Sequence, residues 1–379
     1  ARRDEGAYRQ YATEEQRQQT GCPTPGSVMP FVRHTTRWPT DADTVGNIGE
    51  TALIERIRAR VPAAPDRVAI GIGDDAAVVE PQRGTLDVLT TDTLVEGVHF
   101  DQVFVSPADL GHKTLAVNLS DLAAMGAAPR LALLSLILPG AMTANALDAM
   151  VEGMLALADQ HGVALVGGNI TRSPGPLVVG VTAVGSVRRR RVLTRTGGRP
   201  GDELWVTGTV GAGAAGLACL RQDPSGPTDP DAELTDCIQW YRRPDPRVRV
   251  GMLLGRNRTA RAGVDLSDGL GDGLRQLTTA SGVGATVDGS TIPIAPGARR
   301  WFEEHGLDPL EAALAGGDDY ELLVAVPRTH RRRFAAIRKL TRGVPFTRIG
   351  ELTKATDLVL RTTSGDQPIP AGYEHFAQT

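Results

Sequence analysis

Aspartates recur in this chain at the ends of short apolar segments, several of them inside glycine-rich turns. Asp74 and Asp75 follow Gly73, and Asp92 follows Thr90 and Thr91. Asp265 and Asp268 bracket Leu266 and Ser267 ahead of Gly269, while Asp318 and Asp319 follow Gly316 and Gly317. Asp121 stands within a segment of helical character. One carboxylate at a strand end is an ordinary cap or turn residue. Several converging on one cleft would repel strongly unless cations or a cationic ligand neutralised them. Oxygen donors without His or Cys select hard ions, so Mg²⁺ is the expected cation.

The segments between these turns alternate in type. Leu53, Ile54 and Ile57 at helical spacing predict a helix over residues 50–60, and strands are expected over 68–72 and 86–90. Ser106, Pro107 and Asp109 form a helix start, with an N-cap, a proline at the first position and an acid at the third. That helix should run to about Met125. A strand over 131–138, a helix over 143–161 closed by Gly162, and strands over 163–166 and 177–187 complete the first series. Residues 186–202 hold four successive arginines and a Gly/Pro turn, where the domain boundary is expected. A second series follows, with strands over 203–207, 263–266, 284–288 and 320–326. Its helices are expected over 212–220, 231–241, 246–255, 269–281 and 309–315, with another from Arg328. The pattern implies an α/β chain of the α+β type in two mixed domains, 46–190 and 196–376, with strand order left open. Residues 1–45 are polar and lack the apolar stretch of a secretory signal, so a disordered extension is expected, with Met29 as an alternative natural start.

Composition removes several classes of function. A formal charge of -3 gives no general pull toward nucleic acid or anionic membrane. No apolar run approaches bilayer length. Three cysteines, Cys22, Cys219 and Cys237, show no CxxC pairing, which fits a reducing, cytoplasmic setting. The arginine run 188–191 has no interleaved aromatics and reads as a solvated strand end rather than a nucleic-acid patch.

Mg²⁺ on oxygen ligands usually accompanies phosphates, yet no P-loop is present: Gly111, His112, Lys113 and Thr114 lack the preceding loop. The protein-kinase HRD and DFG signatures are absent as well. Phosphate contacts are therefore expected elsewhere. Gly167, Gly168 and Asn169 follow a strand and let backbone amides approach an anion. Asp268 and Gly269 open a helix whose N-terminus favours anions, and Arg195 can clamp a polyphosphate bidentately. The glycines at 208, 211, 213 and 216 match a dinucleotide loop poorly and read as close helix packing.

Seven motifs then resemble one family in its own order. They are Gly71-Ile-Gly-Asp-Asp75, Thr90-Thr-Asp-Thr-Leu-Val-Glu-Gly-Val-His-Phe100, Lys113-Thr-Leu-Ala-Val-Asn-Leu-Ser-Asp121, Gly167-Gly-Asn-Ile-Thr-Arg172, Val264-Asp-Leu-Ser-Asp-Gly-Leu270, Gly316-Gly-Asp-Asp-Tyr-Glu-Leu322 and Gly372-Tyr-Glu-His-Phe376. The chain resembles the thiamine-monophosphate kinases, within the aminoimidazole-ribonucleotide synthetase superfamily. The resemblance implies a two-domain fold, an N-terminal domain that dimerises through its sheet into a homodimer, and phosphorylation of thiamine monophosphate by ATP. It further implies that Asp75, Thr90, Thr91, Asp92, Asp121, Asn169, Asp265 and Asp268 hold Mg²⁺. Gly168, Asn169, Arg195 and Ser267 would contact ATP, and His99, Asp318 and Tyr373 the thiamine moiety, with Asp92, Asp121 and Arg195 as the catalytic set. Two positions depart from the family: Asn169 stands where many relatives carry Asp, and Asp318 where Glu is usual. A selenophosphate synthetase, a relative in the same superfamily, would want a reactive cysteine in a Gly-rich N-terminal loop, whereas Cys22 lies in the polar extension.

Overall fold

Side chains over residues 86–95 alternate between covered and exposed, the pattern of a strand with one solvated face. The computed structural model describes residues 43–227, 231–370 and 372. It opens with helices α1 (Val45–Ile48) and α2 (Glu50–Arg58) and the short strands β1 (Val68–Ile70) and β2 (Val78–Val79). Strands β3 (Leu86–Val95), β4 (Ala128–Pro139), β5 (Ala164–Ser173) and β6 (Val178–Val187) form a sheet in the order β3-β6-β4-β5. Only the β4–β5 pair in that sheet is parallel. Helices α3 (Pro107–Ala124) and α4 (Ala144–His161) pack on one face of it. The opposite face is open, with Leu89 69% and Leu133 39% exposed.

The second half builds a seven-stranded sheet from β7 (Glu203–Thr207), β8 (Ala262–Asp265), β9 (Gly284–Asp288), β10 (Leu322–Val326), β11 (Phe346–Thr353), β12 (Leu358–Thr362) and β13 (Gly365–Pro368), ordered β13-β12-β9-β11-β7-β10-β8. Its helices are α5 (Ala212–Gln222), α6 (Ala232–Arg242), α7 (Val248–Arg256), α8 (Leu270–Ser281), α9 (Pro296–Glu304), α10 (Pro309–Ala315) and α11 (Arg331–Leu340).

Helix α3 joins the halves. Its start follows the sequence cues: Pro107 occupies the first turn and Ser106 Oγ accepts the Asp109 amide at 3.2 Å. Nearly every residue after Asp109 is buried, because α3 touches β3, β6 and α4 on one side and α7 and the edge strand β8 on the other. Glycine makes these approaches possible. A Cβ on Gly111 would lie 1.8 Å from the Met150 carbonyl oxygen of α4, and one on Gly153 would lie 2.0 Å from that of Ala108.

Three sequence expectations change. The strand expected over 86–90 runs on to Val95, so Asp92 lies inside β3 rather than in a turn at its end. The strand expected over 163–166 runs on to Ser173, so Gly167, Gly168 and Asn169 lie inside β5 rather than in a loop beyond it. Pairing with the long strand β4 extends it, with a register shift between Ala132 and Leu133. Helix α9 went unread because only Gly297, Ala298 and Phe302 of its nine residues are buried. The glycines at 213 and 216 do serve close packing, as a Cβ on Gly216 would sit 2.3 Å from the Cys237 carbonyl oxygen. Of the expected extension, residues 1–42 lie outside the described residues.

Because two helix backbones meet at Gly111, Gly111→Ala should destabilise the protein by about 1–3 kcal/mol through overpacking. Urea unfolding checks this; an unchanged midpoint would mean that α3 and α4 separate freely.

Candidate active site

The acidic residues meet around α3. Asp92 sits on β3 with its side chain toward the helix, and its amide donates to Asn118 Oδ1 at 3.1 Å. Thr90, two residues earlier and so on the same face, donates its hydroxyl to the Asp121 carboxylate. One residue before Asp121, Ser120 Oγ donates to Asp265 Oδ2 at 2.8 Å, a bond from the first half of the chain to the edge strand of the second. Ser267 Oγ lies 3.3 Å from Asp268 Oδ2 in the turn that follows.

These carboxylates are held out of water beside one another, and their proton affinities show it. Burial, then the charges of Asp121 and Asp268, pushes Asp92 up to about 6. Burial also raises Asp265 to about 7, reinforced by Asp121 and Asp92 and opposed by the Ser120 hydroxyl and Arg195. Asp121 is raised by burial and eased by Thr90 and Arg195. Arg195 thus reaches both Asp121 and Asp265 with its field, although no bidentate contact forms. The unbalanced negative charge suits a hard divalent cation. No group of three or more ligating side chains is already gathered around a point among the described residues. That is compatible with Mg²⁺, which keeps water and binds through one or two carboxylates plus substrate phosphates.

A second cluster adjoins the first. Asp318 accepts from Lys113 Nζ at 3.3 Å and from the Tyr320 hydroxyl at 2.8 Å. Lys113 is 1% exposed and also sits 3.7 Å over the Tyr241 ring, whose hydroxyl donates to the His99 carbonyl at 3.2 Å. His99 Nδ1 accepts the Val95 amide at 3.1 Å, which puts the proton of a neutral ring on Nε2. Asp318 and Tyr320 have φ of 64° and 50°, a conformation that costs L residues and persists where surroundings enforce it. The enforcement is visible. The buried Asp319 carboxylate accepts the Gly211 amide at 2.9 Å ahead of α5, and a Cβ on Gly213 would sit 2.4 Å from the Asp318 carbonyl oxygen. Burial holds the Asp319 carboxyl far above its usual range.

The remaining expected residues lie elsewhere. Asp75, Gly168 and Asn169 line an 890 Å³ cavity beside β5, which none of Asp92, Asp121, Asp265 or Asp268 lines. The two groups share a row of the sheet, for Asp92, Val181, Leu134 and Gly168 are successive cross-strand partners. Three strand spacings separate the ends, about 14 Å. The Thr91 hydroxyl points away from Asp92, donating to the Val181 carbonyl at 3.2 Å and accepting from Thr182. Tyr373 lies outside the described residues, but a Cβ on Gly372 would be 2.5 Å from the Asp268 carbonyl oxygen, so the chain reaches the acidic turn just before it. Cys219 and Cys237 are buried with thiols pushed up by burial, Cys237 to about 12, which disfavours the thiolate form a nucleophile needs.

Sequence reading missed Lys113, Asn118 and Ser120, which connect these elements. The available signal was three polar residues, with Asp121, inside an otherwise apolar helix, where an uncompensated polar group would be costly. Tyr241 and Tyr320 had no such signal.

Two family models divide the chain between them. "AIR synthase related protein, N-terminal domain" matches residues 73–187 and "AIR synthase related protein, C-terminal domain" matches 199–362. The thiamine-monophosphate kinase of Salmonella typhimurium is 40% identical over 334 residues, covering 87% of this chain and 98% of that protein. The chain belongs to the thiamine-monophosphate kinase family. Solved members superpose on it. The crystal structure of thiamine-monophosphate kinase from Stenotrophomonas maltophilia is 40% identical with a TM-score of 0.73, covering 83% of this chain and 96% of that one. AaThiL complexed with AMPPCP and TMP is 31% identical with a TM-score of 0.69, covering 87% and 97%. The two-domain α/β fold expected from the sequence is thus the family's own.

The raised carboxylates give a signed expectation. The folded protein binds these protons more tightly than the unfolded chain, so their stabilising contribution is full below about pH 4 and is lost as pH rises through about 6 for Asp92 and about 7 for Asp265. In divalent-free buffer, Asp92→Asn should therefore gain stability over the wild type as pH rises across that window. Parallel unfolding curves with no pH-dependent difference would show that Asp92 is well solvated.

Proposed function

We propose that this chain transfers the γ-phosphoryl group of ATP to thiamine monophosphate in line, giving ADP and thiamine diphosphate. The observation that carries this reading is the meeting of Asp92, Asp121, Asp265 and Asp268, with Arg195 in their field, along a helix shared by both halves of a thiamine-monophosphate kinase family chain. The accepting phosphate is already largely ionised at neutral pH, since the second pKa of a phosphate monoester is about 6, so no general base is required. The obstacle is repulsion between two polyanions. Bound Mg²⁺ supplies the charge neutralisation that lets them approach.

We assign Asp92, Asp121, Asp265 and Asp268 to Mg²⁺, with Thr90 holding Asp121 in place. Asp75 and Asn169 take the same role at the far end of the strand row, and Thr91 takes part through its backbone, since its hydroxyl faces away. Asn169 offers a carbonyl oxygen without a charge. Arg195 steadies the transferring phosphates, and Gly168, Asn169 and Ser267 contact ATP. Gly168 suits this because a Cβ there would lie 1.8 Å from the Leu134 carbonyl oxygen, leaving only bare backbone at that point.

The thiamine moiety is assigned to His99, Asp318 and Tyr373. Asp318 provides a negative charge for the thiazolium, and its carboxylate plane is fixed by Lys113 and Tyr320 from two sides. The open face of the four-stranded sheet, with Leu89 and Leu133 exposed, supports a homodimer formed through that sheet. Residues 46–190 and 196–376 are taken as the domain limits. No helix among the described residues is long and apolar enough to cross a membrane. The reaction consumes ATP, and we assign it to the cytoplasm.

Purified protein with ATP, Mg²⁺ and thiamine monophosphate should form thiamine diphosphate in equal amount to ADP. Binding of both substrates without turnover would instead make the chain a sensor. Asp92→Asn and Asp121→Asn should each lower kcat by roughly a hundredfold or more while the fold is kept, by analogy with other lost electrostatic contacts to a transition state. Asp318→Ala should raise KM for thiamine monophosphate and leave KM for ATP nearly unchanged; an ATP-specific defect would remove Asp318 from the thiamine subsite.

A further inference from the structure

The four arginines at 188–191 play no part in the reaction above, yet two of them have a defined place. Residues Arg189–Arg191 form a 3₁₀ turn. Arg188 precedes the turn and Arg191 ends it, and both line one groove while Arg189 and Arg190 do not. Its other wall is α7, which presents Arg249, Met252, Leu253 and Arg256 at helical intervals. The opposite face of α7 is spent on the protein interior, with Val250, Gly251, Leu254 and Gly255 buried.

The groove encloses 540 Å³, within the range of small-molecule sites. Four arginines and His161 line it with no carboxylate, in a chain whose net charge is -3. Asp245, whose field reaches His161, is engaged by Arg247 at 2.7 Å. No ion-pair partner is recorded for Arg188, Arg191, Arg249 or Arg256 among the described residues. Between the arginines lies an apolar floor of Met252, Leu253, Val187 and Pro129. Guanidinium forks match phosphate oxygens bidentately, and opposed pairs across a groove suit a ligand with more than one phosphate. The floor suits an uncharged organic portion. The absence of a Phe, Tyr or Trp ring from the lining disfavours a stacked single strand of nucleic acid.

We propose that this groove is a second anion site, separate from the acidic cluster, that binds a small organic diphosphate of the nucleoside-diphosphate class. The site goes beyond the kinase reading and does not depend on Mg²⁺, because its cations are arginines. The test is calorimetric titration of ADP into the full chain in the presence of EDTA, with inorganic pyrophosphate as competitor. One ADP should bind per chain, pyrophosphate should displace it, and Arg188→Glu/Arg256→Glu should weaken it at least about tenfold, equal to about 1.4 kcal/mol. Arg249→Glu, a single exposed change, should weaken it in the same direction, and a normal unfolding midpoint for both variants shows that they fold. Turnover without added effector should be unchanged in these variants, which separates a failure of this site from a failure of the kinase assignment. No metal-free binding, binding untouched by the groove variants, or binding lost in Arg195→Ala instead would each overturn the proposal.

Discussion

Carboxylates out of water and within one another's fields are costly to keep, and this structure keeps several of them along one helix. Asp92, Asp121 and Asp265 are each raised by burial, and each feels at least one charged neighbour. A protein free to relax would turn such groups toward solvent. Here the Thr90 and Ser120 hydroxyls and the Asn118 amide fix the strands and helix around them. The repulsion that remains suits the cluster to cations, which in the proposed reaction permit two phosphates to meet.

Helix α3 is what makes the arrangement possible. It is too buried to be a surface helix, yet Lys113, Asn118, Ser120 and Asp121 are polar. Each has a task on a different neighbour: Lys113 on Asp318, Asn118 on Asp92, Ser120 on Asp265 and Asp121 on Thr90. The helix therefore couples the proposed metal-binding side chains to the proposed thiamine-facing ones through one rigid element. A buried lysine without a partner would lose its proton readily. The Asp318 carboxylate opposes that loss, and the Tyr241 ring adds a cation–π contact. Asp318 in turn holds a strained backbone because Asp319, Gly211 and Gly213 leave it no alternative. That cradle brings the Asp318 carboxylate to Lys113.

Much of this was legible before any coordinates. The Ser106 cap, the Gly162 stop and the acidic turn at 265–269 are local signals that appear where local chemistry puts them, whereas Asp92, expected in a turn, lies inside β3. The motif series carried the family and with it the two-domain fold. What remained hidden was set by tertiary pairing. Strand order could not be read, so nothing showed that β8 would lie at the edge of its sheet against α3, or that Asp265 would meet Ser120. Gly167 and Gly168 resemble loop residues by type, and only the partner strand β4 makes them strand. Lys113 read as an incomplete P-loop, since a lysine in a helix is normally solvated by default. The separation of Asp75 and Asn169 from Asp92 follows from strand spacing, which no motif encodes.

Asp92, Asp121 and Asp265, gathered along α3, share a field that bound divalent cations would relieve. Counting the protons released when Mg²⁺ binds, by calorimetry in two buffers of different ionisation enthalpy, tests this most directly. Near pH 6, where Asp92 and Asp265 are partly protonated, Mg²⁺ should displace protons, and the count should fall toward zero well above pH 7. Mg²⁺ binding with no proton release at either pH would contradict the account.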